Sequence, residues 1–193
     1  MSARVANQGY YGCGLYSYQD TLYAQNGAQL YAHSLIVGTV DFIFGKNALA
    51  WFHKCDIRTI GAGCVTASGR SAANDSSWYV INKGDVRGIN KTFDDAKVNY
   101  LGRPWEPFAR VLFQESYLGN CILPAGWSIW DPGEDNTSNV TFAEYHNFGP
   151  GSILNEGPRA NFSVQFNNSV SIEFILGEGY QKEWWVDNRY LDP

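Results

Sequence analysis

Charge, cysteine and long apolar runs are all scarce in this 193-residue chain. Asp, Glu, Lys and Arg together make up 17%, against about a quarter in an average soluble domain, which excludes a disordered tail-like chain and a charge-laced coiled coil. The formal net charge is -5 and no basic cluster exceeds a pair of residues, so little is available to neutralise nucleic-acid phosphates or an anionic membrane surface. No apolar run approaches the length that spans a bilayer. The opening MSARVANQGYYG lacks the charged start and apolar stretch of a signal peptide. Cys13, Cys55, Cys64 and Cys121 form no C-x-x-C pair and have no His at ligand spacing. A zinc site is therefore not expected, and buried thiols are favoured over disulfides.

Aromatic residues and glycine are abundant: seven Trp, twelve Tyr, eleven Phe and twenty Gly. Aromatic side chains suit a pleated surface and glycine punctuates it, so the expected class is all-β. Six acceptor sequons for N-glycosylation, at Asn74, Asn90, Asn136, Asn139, Asn161 and Asn167, exceed the roughly two that composition yields by chance and point to secretion. Sequons without a leader imply that Met1 does not mark the natural beginning and that the chain is a fragment.

Five segments share one pattern of an apolar pair, a small residue, any residue and an aliphatic one. The small and aliphatic positions are Cys13 and Leu15, Ser34 and Ile36, Cys55 and Ile57, Gly84 and Val86, and Ser116 and Leu118. The small positions lie 21, 21, 29 and 32 residues apart. A unit this short, with several apolar runs and glycine corners, fits one coil of a parallel β-helix, in which equivalent positions of successive coils stack about 4.8 Å apart. A β-sandwich with recurring strands is the competing architecture. The longer spacings mark loops bulging from corners, where such folds build their sites. Short helical turns fit Lys91 to Val98. Beyond Trp127 the repeat fades, and the tail from Phe142 to Pro193 reads as loops and a cap over the end of the solenoid. One domain over 1–193 is expected.

Asp20 follows Cys13 by seven residues, and Asp41 follows Ser34 by seven. Equal offsets in adjacent coils place the two carboxylates in one row, within the apolar and aromatic surroundings SYQDTLY and GTVDFIFG. At about 5 Å and an effective dielectric near 20 they repel by roughly 3 kcal/mol, enough to separate their pKa values by about two units. One Asp then stays ionised while the other holds a proton near neutrality, the division that acid/base chemistry needs. Arg103 in LGRPW is the candidate cation that keeps one of them charged. These residues fit a retaining glycosidase and an aspartate-based esterase equally well.

In SYQDTLY, GTVDFIFG, LGRPW and AGWSIW, four motifs in order over residues 9 to 130, the chain resembles the pectin methylesterases of the pectinesterase family. VTASGR and NGAQLYAHS lean toward a fungal member. The resemblance implies a right-handed parallel β-helix, secretion, and hydrolysis of methyl esters of homogalacturonan without metal or cofactor, by a protein that is monomeric at full length. Its implied catalytic residues are Asp41 as nucleophile, Asp20 as acid and base, Gln19 as oxyanion donor and Arg103 as the partner of Asp41. Trp105 and Trp127 are the implied aromatic walls for galacturonate rings, with Tyr23 and Phe44 lining the same cleft. His33, His53 and His146 fall in no motif and are expected to be structural or on the surface. The family's further oxyanion Gln and several coils precede the point where this chain starts. The fragment is therefore expected to be N-terminally truncated, feebly active and prone to association, with a pectin-binding remnant and another polysaccharide-active β-helix enzyme as the alternatives.

Overall fold

The computed structural model describes residues 1–191; Asp192 and Pro193, the last positions of the expected domain, lie outside the described residues. The chain winds in successive coils of three short strands. The first coil comprises β1 (Ser2–Ala3), β2 (Gln8–Tyr11) and β3 (Gly14–Tyr16), and the second β4 (Leu22–Ala24), β5 (Asn26–Ala32) and β6 (Leu35–Gly38). The third holds β7 (Ile43–Gly45), β8 (Asn47–His53) and β9 (Asp56–Thr59). The fourth holds β10 (Gly63–Ser68), β11 (Trp78–Asn82) and β12 (Asp85–Gly88), followed by the one-turn helix α1 (Lys91–Asp94). The fifth comprises β13 (Asn99–Pro104), β14 (Arg110–Gln114) and β15 (Tyr117–Leu118). Then come β16 (Thr141–Tyr145), α2 (Ile153–Glu156), β17 (Ser163–Gln165) and α3 (Ile172–Leu176).

Strands of like position pair into three sheets, β1-β4-β7-β10-β13, β17-β16-β14-β11-β8-β5-β2 and β15-β12-β9-β6-β3. Every strand ladder is parallel, which makes a parallel β-helix and removes the sandwich, whose sheets are antiparallel. The repeat read from the sequence is a physical column: Leu15 pairs with Ile36, Ile36 with Ile57, Ile57 with Val86 and Val86 with Leu118. The small position stacks beside it, the Cys13 amide donating to Ser34 Oγ at 3.2 Å and the Gly84 amide to Ser116 Oγ at 3.0 Å. A second interior column runs through Tyr10, Tyr31 and Phe52, whose rings stack with centroids 4.9 and 4.7 Å apart. Each such ring or aliphatic chain withdrawn from water contributes about 1.5–3 kcal/mol.

The fading of the repeat beyond Trp127 needs correction. β16 adds another rung on β14, and Asn147 takes the small position, its Oδ1 accepting the Ser116 amide at 3.0 Å. An amide doing the work of a hydroxyl, after a long loop, hid this coil. The tail caps the end only in part. Ala160 and Phe162 pack on the interior core, whereas Val170, Ile172, Ile175, Trp185 and Tyr190 join a separate apolar cluster with Leu30, Trp51, Trp78 and Leu112. That cluster carries the tail back along the flank of the seven-stranded sheet to the first coil, where Tyr11 Oη donates to the Trp185 carbonyl at 2.9 Å.

The four cysteines are free thiols. Burial pushes those of Cys55, Cys64 and Cys121 up to about 12, so they remain protonated. The helical turn in the stretch 91–98 is α1, whose N-terminus is capped by Asn90 Oδ1 accepting from the Phe93 amide at 3.2 Å. No helix among the described residues is long and apolar enough to cross a membrane.

Candidate functional site

The first sheet turns one column of side chains outward: Tyr23 pairs with Phe44, Phe44 with Ala67, and Ala67 with Arg103. Alternation along each strand sends the preceding residues inward: Leu22 and Ile43 enter the core, and Thr66, on the rung next to Ile43, is buried. Just before β4 and β7, the corners hold Asp20 and Asp41 at φ 55° and 50°. This left-handed conformation is one that Asp tolerates better than most residues. Gln19 bridges Val40 and the Asp20 amide donates to the Val40 carbonyl at 3.2 Å, so Asp20 and Asp41 stand one rung apart in equivalent corners.

Arg103 grips Asp41 with two prongs, Nε to Oδ1 at 2.9 Å and Nη2 to Oδ2 at 2.7 Å. Ala67 lies on the rung between Phe44 and Arg103, and its single methyl leaves the gap across which the guanidinium reaches. The remaining nitrogen, Nη1, donates to the Trp130 carbonyl at 3.1 Å, and the guanidinium carbon lies 4.2 Å from the centroid of the Trp130 ring. The Asp41 side chain is 9% exposed and that of Arg103 23%. A planar fork on a planar carboxylate in partial shelter is the strong form of ion pair. The pair holds the Arg103 guanidinium above its usual value, the hydrogen bond to Asp41 outweighing desolvation.

Asp20 behaves differently. Desolvation by its neighbours, then the negative charge of Asp41, push its carboxyl above the ordinary carboxylate value, while the hydrogen bond from Gln19 pulls the other way. Gln19, Asp20, Asp41 and Phe44, with Ala67 and the two tryptophans Trp105 and Trp130, line one cleft of about 190 Å³. Such a cleft offers a clamped carboxylate, a second carboxyl raised above its ordinary value, an amide and aromatic walls within one small volume.

The residues expected from the sequence divide as follows. Asp41, Asp20, Gln19, Phe44 and Trp105 line the cleft, and Arg103 grips its carboxylate from behind. Tyr23 extends the aromatic row one rung beyond, stacked on Phe44 with centroids 4.6 Å apart. Trp127 does not form a wall. It is 2% exposed, bridges Gly102, and stacks on Phe142 at 4.4 Å within the core. The wall is Trp130, the second tryptophan of AGWSIW, three residues further on and turned back toward Arg103. The histidines lie elsewhere: His53 is buried against Asn82, His146 stacks on Tyr145, and His33 is exposed.

The fold and the cleft together define a parallel β-helix protein with a carboxylate-centred, aromatic-lined cleft on one flank of the solenoid. The family model for Pectinesterase matches residues 3–175, and the chain belongs to the pectinesterase family. It is 45% identical to a pectinesterase of Aspergillus niger over 195 aligned residues, covering all of this chain and 57% of that protein. It is 47% identical to a pectinesterase of Aspergillus aculeatus, covering 99% and 57%. The crystal structure of the Aspergillus niger pectin methylesterase superposes with a TM-score of 0.82 at 37% identity, over 94% of this chain and 57% of that one. The chain thus spans little more than half the length of the relatives it matches.

Proposed function

We propose that the chain carries out carboxylic ester hydrolysis on the methyl esters of homogalacturonan, releasing methanol and leaving free galacturonate. The observation that carries this reading is the two-pronged clamp of Arg103 on Asp41, one rung from Asp20, whose carboxyl is raised above its ordinary value by desolvation and by the charge of Asp41. Arg103 keeps Asp41 ionised and aimed. An Asp41 oxygen attacks the ester carbonyl carbon, and the Gln19 amide donates to the tetrahedral oxyanion, a contact of a kind worth about 3 kcal/mol in the transition state. As the bond to the methoxy oxygen breaks, Asp20 gives its proton to the departing methanol. In the second half Asp20, now a carboxylate, takes a proton from water, whose oxygen attacks the acyl carbon and returns Asp41 to its carboxylate form. Phe44, Trp105 and Trp130 offer flat apolar faces to sugar rings.

The same reading makes the protein a secreted glycoprotein that acts in cell-wall modification as part of one longer β-helix domain, monomeric at full length. Asn74, Asn90, Asn139, Asn161 and Asn167 are exposed, as glycan acceptors must be. The sixth sequon differs: Asn136 is half-buried, with Nδ2 donating to the Pro104 and Trp105 carbonyls at 3.4 and 3.3 Å.

Incubating methylated pectin with the protein and measuring methanol and new chain ends together tests the proposal. Methanol without new ends, abolished by Asp41→Ala, is the expected result. New reducing or unsaturated ends would transfer the site to glycosidase or lyase chemistry, and binding without methanol would make it a pectin-binding remnant.

A further inference from the structure

Lys46 follows the last residue of β7, and Glu106 lies two residues beyond β13. The winding of the coils brings them together at the rim of the cleft. Lys46 Nζ is 3.1 Å from Glu106 Oε1 and 4.5 Å from the centroid of the Trp105 ring. Gly69 permits the arrangement, because a Cβ there would lie 2.7 Å from Trp105 Cε3 and 2.9 Å from Lys46 Cγ. The stem and the ring can meet only over a residue with no side chain. The pair stays partly open to water, the Lys46 side chain 37% exposed and that of Glu106 31%. The other cation at the cleft, Arg103, has its donors committed to Asp41 and the Trp130 carbonyl.

In a chain of net charge -5, this places an available ammonium against the aromatic wall of a cleft that otherwise presents two carboxyls. We propose that Lys46 is a substrate-binding residue that takes a free carboxylate on a sugar unit adjoining the one under attack, with Glu106 as its resting counter-ion. The proposal rests on the reading of the cleft as a homogalacturonan site, and assigns to Lys46 the carboxylate of the adjoining unit. Glu106 holds the ammonium over Trp105 until a substrate carboxylate replaces it. An ammonium on a ring is attracted by the quadrupole of that ring, so the cation stays in position during the exchange.

Tryptophan fluorescence titrations with two hexagalacturonides, one fully methyl-esterified and one fully de-esterified, test this at low salt and at about 0.15 M, where exposed charges are screened beyond about 8 Å. Lys46→Gln should weaken binding of the de-esterified oligomer by about three- to fivefold, the range of a partly exposed ion pair, with a smaller loss at the higher salt. Its affinity for the esterified oligomer should change by less than about twofold. Lys46→Arg should restore the de-esterified affinity, and Glu106→Gln should raise it. An unchanged de-esterified affinity in Lys46→Gln overturns the proposal, as does an equal loss for both oligomers, which would mean damage to Trp105 packing, or no binding of either by the parent protein. Methanol release is scored separately. A carboxylate preference without methanol overturns the esterase reading and leaves the Lys46 site standing, whereas methanol without the preference overturns Lys46 alone.

Discussion

Arg103 with Asp41 and Arg159 with Glu144 are the same chemical object, a guanidinium fork on a carboxylate, placed in two different regions. At the end of the solenoid, Arg159 donates from Nε and Nη2 to the two Glu144 oxygens at 2.7 and 3.0 Å. It spends its other donors on the carbonyls of Leu123, Pro124 and Gly151. The side chains are 3% and 1% exposed. Glu144 pairs in register with Phe113 and so occupies the next rung of the Tyr10, Tyr31 and Phe52 column. A carboxylate there survives only because every prong opposite it is used. At the cleft, the carboxylate of Asp41 has a second carboxyl one rung away and open volume in front. The difference between a structural closure and a reactive site lies in what the carboxylate still faces once its arginine is satisfied.

Amidating each carboxylate separates the two roles. Asp41→Asn should reduce methanol release at least a thousandfold while the folded protein persists, since the cleft pair is partly solvated; a variant retaining a tenth of the activity would break the comparison. Glu144→Gln should leave a buried guanidinium undercompensated and cost about 3–5 kcal/mol in urea unfolding. Replacing both Glu144 and Arg159 with apolar residues should recover most of that, because the desolvation cost disappears with the charges.

The two tryptophans sharpen the same contrast on a smaller scale. Trp127→Ala removes a core ring and should cost about 3–5 kcal/mol of stability with no direct effect on KM. Trp130→Ala should raise KM for pectin about tenfold with stability changed by less than about 1 kcal/mol.

The smallest effect is a pH dependence. The Asp20 carboxyl is raised in the folded chain, so the native state holds this proton more tightly than the unfolded state does. Stability from this group is therefore greatest below the ordinary carboxylate value of 3.8 and falls as pH rises through the higher folded value. Asp20→Asn should abolish that fall, matching the parent protein at the acid end and melting slightly higher at neutral pH. Asp41→Asn should bring the Asp20 titration down, as followed by carboxyl NMR, because the charge of Asp41 is the second cause of the shift.

Legibility in the sequence followed position within the coil. Leu15, Ile36, Ile57, Val86 and Leu118 were visible because parallel stacking demands like residues at like offsets, and Asp20 and Asp41 inherited their adjacency from the same offset of seven. Arg103 was marked by its place in LGRPW. Trp127 and Trp130 could not be told apart, since both follow the last clear repeat and only the bridge between Trp127 and Gly102 decides which ring turns inward. Asn147 escaped because a side-chain amide replaced the small residue of the earlier coils.

By itself the sequence determined the coil, its stacking and the neighbouring aspartates, because a parallel ladder converts sequence offset directly into height along an axis, and it marked Arg103 as a candidate cation whose clamp on Asp41 the structure then showed. Only the tertiary structure decided which tryptophan walls the cleft, that Lys46 meets Trp105 over Gly69, that Glu144 is closed by Arg159, and that the tail returns along the flank to Tyr11. Those contacts join loops and termini whose separation in sequence bears no fixed relation to distance, and there packing and desolvation alone select the partner.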